Sequence, residues 1–177
     1  MDPEYGRIYR TLYEEHWWWR ARERIILKEL HELNPTDSWG SILDVGCGDG
    51  LFFPKLEVLG EVEGVEPDAS LISEGTLNRW NIHTRPFDVT FLGENQYRLI
   101  LFLDVLEHLQ DPASALGHAL DLLAPEGMIL ATVPAFPVLW TSHDDANHHF
   151  RRYTRASFHD LADAVGLKIL RQGYFFP

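Results

Sequence analysis

An acid and three alternating glycines stand together at Asp44-Val45-Gly46-Cys47-Gly48-Asp49-Gly50, directly after Ile42-Leu43. Glycines at this spacing let the backbone turn tightly and let a ligand approach the main chain where a Cβ would block it. The run is G-x-G-x-G, whereas a dinucleotide site reads G-x-G-x-x-G and offers amides to a pyrophosphate at a helix start. Asp44, two residues before the first glycine, would sit poorly beside a pyrophosphate but suits a ligand with an ammonium or other cationic centre. Glu66 follows twenty-two residues after Asp44, at the end of Gly64-Val65-Glu66-Pro67-Asp68. An acid there can accept hydrogen bonds from both hydroxyls of a ribose. Together these residues describe a nucleoside site that favours a cation.

A second group lies later in the chain. His143, His148 and His149, with Asp144 and Asp145, have metal-ligating side chains. They lack an H-x-x-x-H spacing, and neighbouring histidines in an extended stretch point to opposite sides, so a loop over an acceptor site is the expectation and no metal is assigned. Arg151, Arg152 and Tyr153 follow. They suit a carboxylate or phosphate on an acceptor, or a salt-bridged surface at a helix start. Trp140, after Pro134 and Pro137, fits an aromatic acceptor pocket or a packing role under that loop.

Positioning these residues requires alternating strands and helices. Apolar runs at Ser41–Val45, Glu61–Val65, Asn81–Thr84, Leu99–Leu103, Gly127–Val133 and Leu167–Arg171 predict strands. Gly50–Leu59, Ala69–Trp80, Pro112–Leu123 and Thr154–Val165 predict helices. Asp111 is the cap before Pro112, and Thr154 and Gly166 are the start and stop signals of the last helix. Alternation of this kind implies a parallel sheet with helices on both faces. Upstream, residues 5 to 33 predict one helix, or two broken near Glu15-His16, with Pro35 as the stop. Trp17-Trp18-Trp19 lie in it about 100° apart and cannot all face one core. The indoles clamp the helix to the domain, or one of them, Trp18, lines the mouth of an apolar pocket.

With 177 residues, 45% of them apolar and 24% charged, the chain has the size and composition of one globular unit. The expected division is a helical cap at 1–36 on an α/β domain at 37–177. Cys47, the single cysteine, excludes an internal disulfide and a cysteine-rich zinc site. It agrees with a reducing compartment, and the cytoplasm is the expected location. No basic-then-apolar leader opens the sequence, and the longest apolar stretch, Leu99 to Leu106, is broken by Asp104. The net charge of −12 is concentrated: residues 37–126 hold sixteen acids against four bases. Such a surface repels phosphate backbones, so nucleic acid is not the expected partner.

With these residues in view, the chain resembles the class I S-adenosylmethionine-dependent methyltransferases. The run Leu43 to Gly50 is similar to their first motif, Leu99 to Leu109 to their fourth-strand motif, and Leu122 to Met128 to their turn into the fifth strand. Tyr13 to Trp18 and Asp145 to Thr154 also resemble a bacterial small-molecule subgroup related to the ubiquinone and menaquinone biosynthesis enzymes. The resemblance implies a Rossmann-like, doubly wound, mostly parallel sheet with helices on both faces. It implies S-adenosylmethionine as cofactor, with S-adenosylhomocysteine as product, and a small-molecule or lipid-like methyl acceptor. Asp44, Gly46, Cys47, Gly48 and Gly50 would hold the methionine part, and Glu66 the ribose. Pro67 and Asp68 would flank the adenine and ribose, and Asp88 would meet the adenine amino group. Asp104 and Val105 would stand where cofactor and acceptor meet.

The sulfonium is already an activated methyl donor, so alignment and exclusion of water come first and a general base is optional. For a hydroxyl or carbon acid, His108 is the first candidate base and His143 the second. Trp18, Trp140, His148, Arg152 and Tyr153 would contact the acceptor. The departure from the family pattern is at the end, where Gly173-Tyr174-Phe175-Phe176-Pro177 replaces a final antiparallel strand. The expectation is six strands with an apolar edge, covered by the N-terminal helix or by a second copy in a homodimer. A cofactor-binding module without transfer activity is the alternative reading.

Overall fold

A computed structural model describes residues 10, 13, 15–34, 38–93 and 96–175. Ile8, Leu12 and Pro35, part of the first helix prediction, lie outside them, as do the last two residues. Helix α1 spans Trp17–Leu33, and His16 caps it by accepting from the Trp18 amide at 3.2 Å. The chain is non-helical at His16, which agrees with the second of the two alternatives, a break near Glu15-His16.

Among the described residues five strands follow in an all-parallel sheet: β1 (Gly40–Val45), β2 (Gly60–Val65), β3 (Asn81–His83), β4 (Tyr97–Leu103) and β5 (Leu123–Thr132). Their order in space is β3-β2-β1-β4-β5. The order reverses between β1 and β4, paired from Ile42 opposite Leu99 to Val45 opposite Phe102. In open α/β sheets ligands bind beyond the strand ends at this switch point.

Alternation along the strands divides the core into two layers. Ile42, Leu99 and Leu101 face Ile26 and Leu30 of α1 together with Trp39, Phe53 and Leu56. Leu43, Val45, Ile100 and Phe102 face the other way, toward Ala115, Leu116 and Ala119 of helix α4 (Pro112–Leu122). Two predicted helices are much shorter than expected. Gly50–Leu59 contains only α2 (Phe53–Leu56), and Ala69–Trp80 divides into a 3-10 turn at Ala69–Leu71 and α3 (Glu74–Leu77), started by Ser73. Asp111 caps α4 through the Ser114 amide, and Thr154 caps the last helix, Arg155–Ala164, through Ser157.

The predicted sixth strand at Leu167–Arg171 does not form. Strand propensity needs a neighbouring backbone to pair with, and this segment makes no ladder. Side chains anchor it instead. Leu167 packs on the second core layer, and Arg171 bonds Glu29 and Glu32 of α1 at 2.7 and 2.6 Å. Among the described residues the sheet thus has five strands, with β5 at one edge. Among the described residues no helix is long and apolar enough to cross a membrane.

Candidate active site

The loops after β1, β2, β4 and β5 surround a cleft of about 1110 Å³. Its first wall is the glycine turn. Gly46, Gly48 and Gly50 all have positive φ, of 71°, 55° and 61°. Gly46 has a second reason to lack a side chain, because a Cβ there would lie 2.6 Å from a methyl of Val105. The Gly46 amide donates to Val65 of β2 at 2.7 Å, which locks the turn to the neighbouring strand.

Glu66 faces the turn. Its carboxylate accepts from the Gly48 amide at 3.1 Å and the Asp68 amide at 2.9 Å. Burial pushes its pKa up, and those amide bonds oppose the shift. Asp44 is almost fully buried behind the turn. Burial raises its pKa to about 7, opposed by Arg22 and reinforced by Glu66. A cationic ligand would relieve both acids. Gly48 has open space where its Cβ would be, so the turn leaves room for a ligand against its backbone.

The second wall begins at Asp104, just past β4. Its φ of 60° is unusual for a residue with a side chain and costs about 1–3 kcal/mol. The carboxylate is held by the Thr132 hydroxyl at 3.0 Å and by the Arg22 guanidinium at 2.6 Å. Arg22 is buried, and its guanidinium carbon lies 5.9 and 5.3 Å from the ring centres of Trp18 and Trp19. Helix α1 therefore contributes a cation as well as indoles. Sequence patterning pointed to the indoles alone, because one arginine on a charged helix gives no sign of facing inward.

Glu107, His108 and His149 form the far end. A carboxylate oxygen of Glu107 and one nitrogen of each imidazole lie within 4.8 Å of one another. Glu107 is 1% exposed, and its Oε2 has no hydrogen-bond partner among the described residues. Burial, then Asp104, pushes its pKa up to about 9. Burial, and then His149, lowers that of His108. These atom types are found around divalent ions.

The loop expected over the acceptor site contains a short helix, α5 (Ser142–Ala146), capped by Thr141. Asp144 within it is fully buried. It accepts from Arg152 at 2.7 and 2.8 Å, from the Thr141 amide at 2.8 Å and from His149 at 2.9 Å. Arg152, with the other bonds, holds the Asp144 carboxyl well below the usual carboxylate range. Arg152 lines the cleft with its charge already committed, and it also donates to the Ala135 carbonyl at 3.2 Å.

Of the residues singled out in the sequence, Gly46, Cys47, Gly48 and Glu66 line the cleft on one side, and Asp104, His108, His143, Trp18 and Arg152 line the other. The rest do not form its walls. Gly50 is buried in the turn, and Val105 packs at the edge of the second core layer. Pro67, Asp88 and His148 are exposed, and Asp88 accepts from Thr90. Asp68 caps the Ala69–Leu71 turn through Ser70. Trp140 donates its indole N–H to Asp145 at 2.9 Å. Tyr153 is a core residue whose hydroxyl donates to the Leu106 carbonyl at 3.1 Å, and burial raises its pKa to about 12.

The family model described as a methyltransferase domain matches residues 18–172. The chain belongs to this methyltransferase family. The glycine turn and the two buried acids fit a nucleoside with a cationic centre, as S-adenosylmethionine is. An uncharacterized methyltransferase of Schizosaccharomyces pombe is 33% identical over 63% of this chain and 45% of its own length. A ubiquinone biosynthesis O-methyltransferase of Coxiella burnetii is 26% identical over 86% of this chain and 77% of its own. This chain thus spans less than half of the first relative and about three quarters of the second. In fold it is similar to phosphoethanolamine N-methyltransferase 2 of Haemonchus contortus, solved with S-adenosylmethionine, with a TM-score of 0.66 at 16% identity over 79% of this chain and 36% of that one. It is likewise similar to the N-methyltransferase NodS of Bradyrhizobium japonicum, with a TM-score of 0.65 at 15% identity over 87% and 76%.

Proposed function

We propose that this methyltransferase moves the methyl group of S-adenosylmethionine to a small-molecule or lipid-like acceptor. The observation that carries the reading is one cleft walled by both the glycine turn with Glu66 and the aromatic, histidine-bearing end. Its volume of about 1110 Å³ is slightly above the usual range for small-molecule sites, about 300–1,000 Å³, and suits a cofactor and an acceptor side by side. In this reading the cofactor supplies an activated methyl group. Glu66 holds the ribose, and Asp44 with the Gly46 to Gly50 turn favours the cationic methionine part. Segment 1–36 acts as a cap and contributes Trp18 and Arg22 to the acceptor side.

The aromatic walls Trp18, Trp19, Phe136 and Tyr174 support an apolar or ring-bearing acceptor, since flat side chains exclude water from the transferring methyl group. The Coxiella relative's name points to oxygen as the accepting atom. Acceptor-dependent release of S-adenosylhomocysteine from the purified chain tests the reading. Release with a ring hydroxyl compound supports it, and cofactor binding without release across hydroxyl, amine and lipid-like acceptors contradicts it.

A further inference from the structure

The sequence offers His108 and His143 as bases, yet the geometry favours a different histidine. His149 bonds through Nδ1 to Asp144 at 2.9 Å, and its backbone amide donates to the Asp144 carbonyl at 3.0 Å. Asp144 is fully buried and takes further hydrogen bonds from Arg152 and Thr141, so it is fixed in place and ionised. An ionised carboxylate only accepts, so Nδ1 of His149 carries the hydrogen and the lone pair of neutral His149 is on Nε2. The ring lines the cleft, with 11% of the side chain exposed, and packs edge-on to His108 with centroids 4.6 Å apart. Burial pulls His108 toward its neutral form, and exposed His143 contacts the Asn147 side-chain amide at 3.1 Å.

We propose that His149, oriented by Asp144, takes the proton from a protic acceptor during methyl transfer, with Asp144 as a positioning residue. The proposal rests on the methyl-transfer reading and deepens it. A bond forms between the acceptor atom and the methyl carbon. The carbon–sulfur bond breaks, and its electron pair leaves with sulfur as a neutral thioether. The acceptor's proton goes to Nε2 of His149. The groups facing His149 are Asp144 and Arg152, which together carry no net charge, His108, and Glu107, whose pKa burial pushes up. The imidazolium that forms is thus stabilised by the adjacent carboxylate and meets no bare cation.

The test uses the chain saturated with S-adenosylhomocysteine and 4-nitrophenol as the probe, whose ionisation is read by its colour. Bound to the wild type, the probe should ionise about one pH unit lower than in solution, equivalent to a tenfold shift. His149→Gln should abolish the shift, and His159→Gln, on the outer face of the last helix, should keep it. Nitrogen-15 spectra of the imidazoles give a second readout, in which His149 is the Nδ1–H tautomer and Asp144→Asn changes the tautomer or its titration. If Asp144→Asn does not fold, because Arg152 loses its partner, His149→Gln still decides the matter. The proposal is overturned by a shift that survives His149→Gln, by no shift, or by failure of the probe to bind while S-adenosylhomocysteine does. A shift that requires added zinc or magnesium and disappears with a chelator also overturns it and assigns the histidines to a cation. Failure of S-adenosylhomocysteine itself to bind contradicts the methyl-transfer reading instead.

Discussion

Asp44 and Glu107 hold their protons for the same reason, burial, and with opposite consequences for what can be measured. The Asp44 carboxyl is raised to about 7, so its charged fraction increases between pH 6 and 8. A cationic ligand is attracted only to the charged form. Affinity for S-adenosylmethionine should therefore be weaker at pH 6 than at pH 8, by up to about tenfold, and Asp44→Asn should flatten the profile. Calorimetric titration at the two pH values checks this, and a flat wild-type profile contradicts it. Glu107 is raised from 4.5 to about 9. Between those values the folded chain keeps a proton that the unfolded chain has lost, so Glu107 lowers stability as pH rises. Glu107→Gln, always neutral, should gain stability over the wild type from pH 5 to pH 8 in urea unfolding. An equal difference at both pH values would rule out the buried, protonated carboxyl. Asp44 was legible in the sequence because it is tied to a glycine run. Arg22 and the Asp144–His149 pair were not, since their partners become neighbours only once helices and loops pack.

At the scale of elements, the glycine turn shows how strand, turn and pocket depend on one another. Gly48→Ala meets nothing within 4 Å, so its cost is the positive φ alone, about 1–2 kcal/mol. Gly46→Ala adds a Cβ 2.6 Å from a Val105 methyl, so Val105, next to Asp104, must move. Thermal unfolding should therefore show a larger loss for Gly46→Ala than for Gly48→Ala. Equal losses would mean that Val105 yields freely. The strands of the sheet were readable because two-sided burial leaves continuous apolar runs such as Leu99 to Leu103. Helices between residues 50 and 80 were overestimated. That stretch carries turn chemistry at Asp68 and Ser73, whose side chains cap local amides and divide the helical pattern into single turns. Leu167–Arg171 had the composition of a strand, but pairing is a property of two segments and only one of them is in the pattern.

For the molecule as a whole, the segment after the last helix connects distant parts. Arg171 bonds α1, and Gly173, Tyr174 and Phe175 then line the cleft, with Tyr174 stacked on Phe136 at 4.8 Å. The Arg171 pairs are solvent-exposed, so Arg171→Ala should leave global stability nearly unchanged. It should free the segment nonetheless, with faster amide exchange from residue 172 onward. Unchanged exchange there would show that aromatic stacking alone holds it. The proposed binding of S-adenosylmethionine at the end of β1, with Glu66, is open to direct measurement. Calorimetric titration of the chain with S-adenosylmethionine, S-adenosylhomocysteine and NADH, repeated on Asp44→Ala and Glu66→Ala, tests it most directly. Micromolar binding of the first two, about −8 kcal/mol, lost in both variants, and no binding of NADH are expected. Binding of NADH alone, or no binding of the first two by the folded wild type, would contradict it.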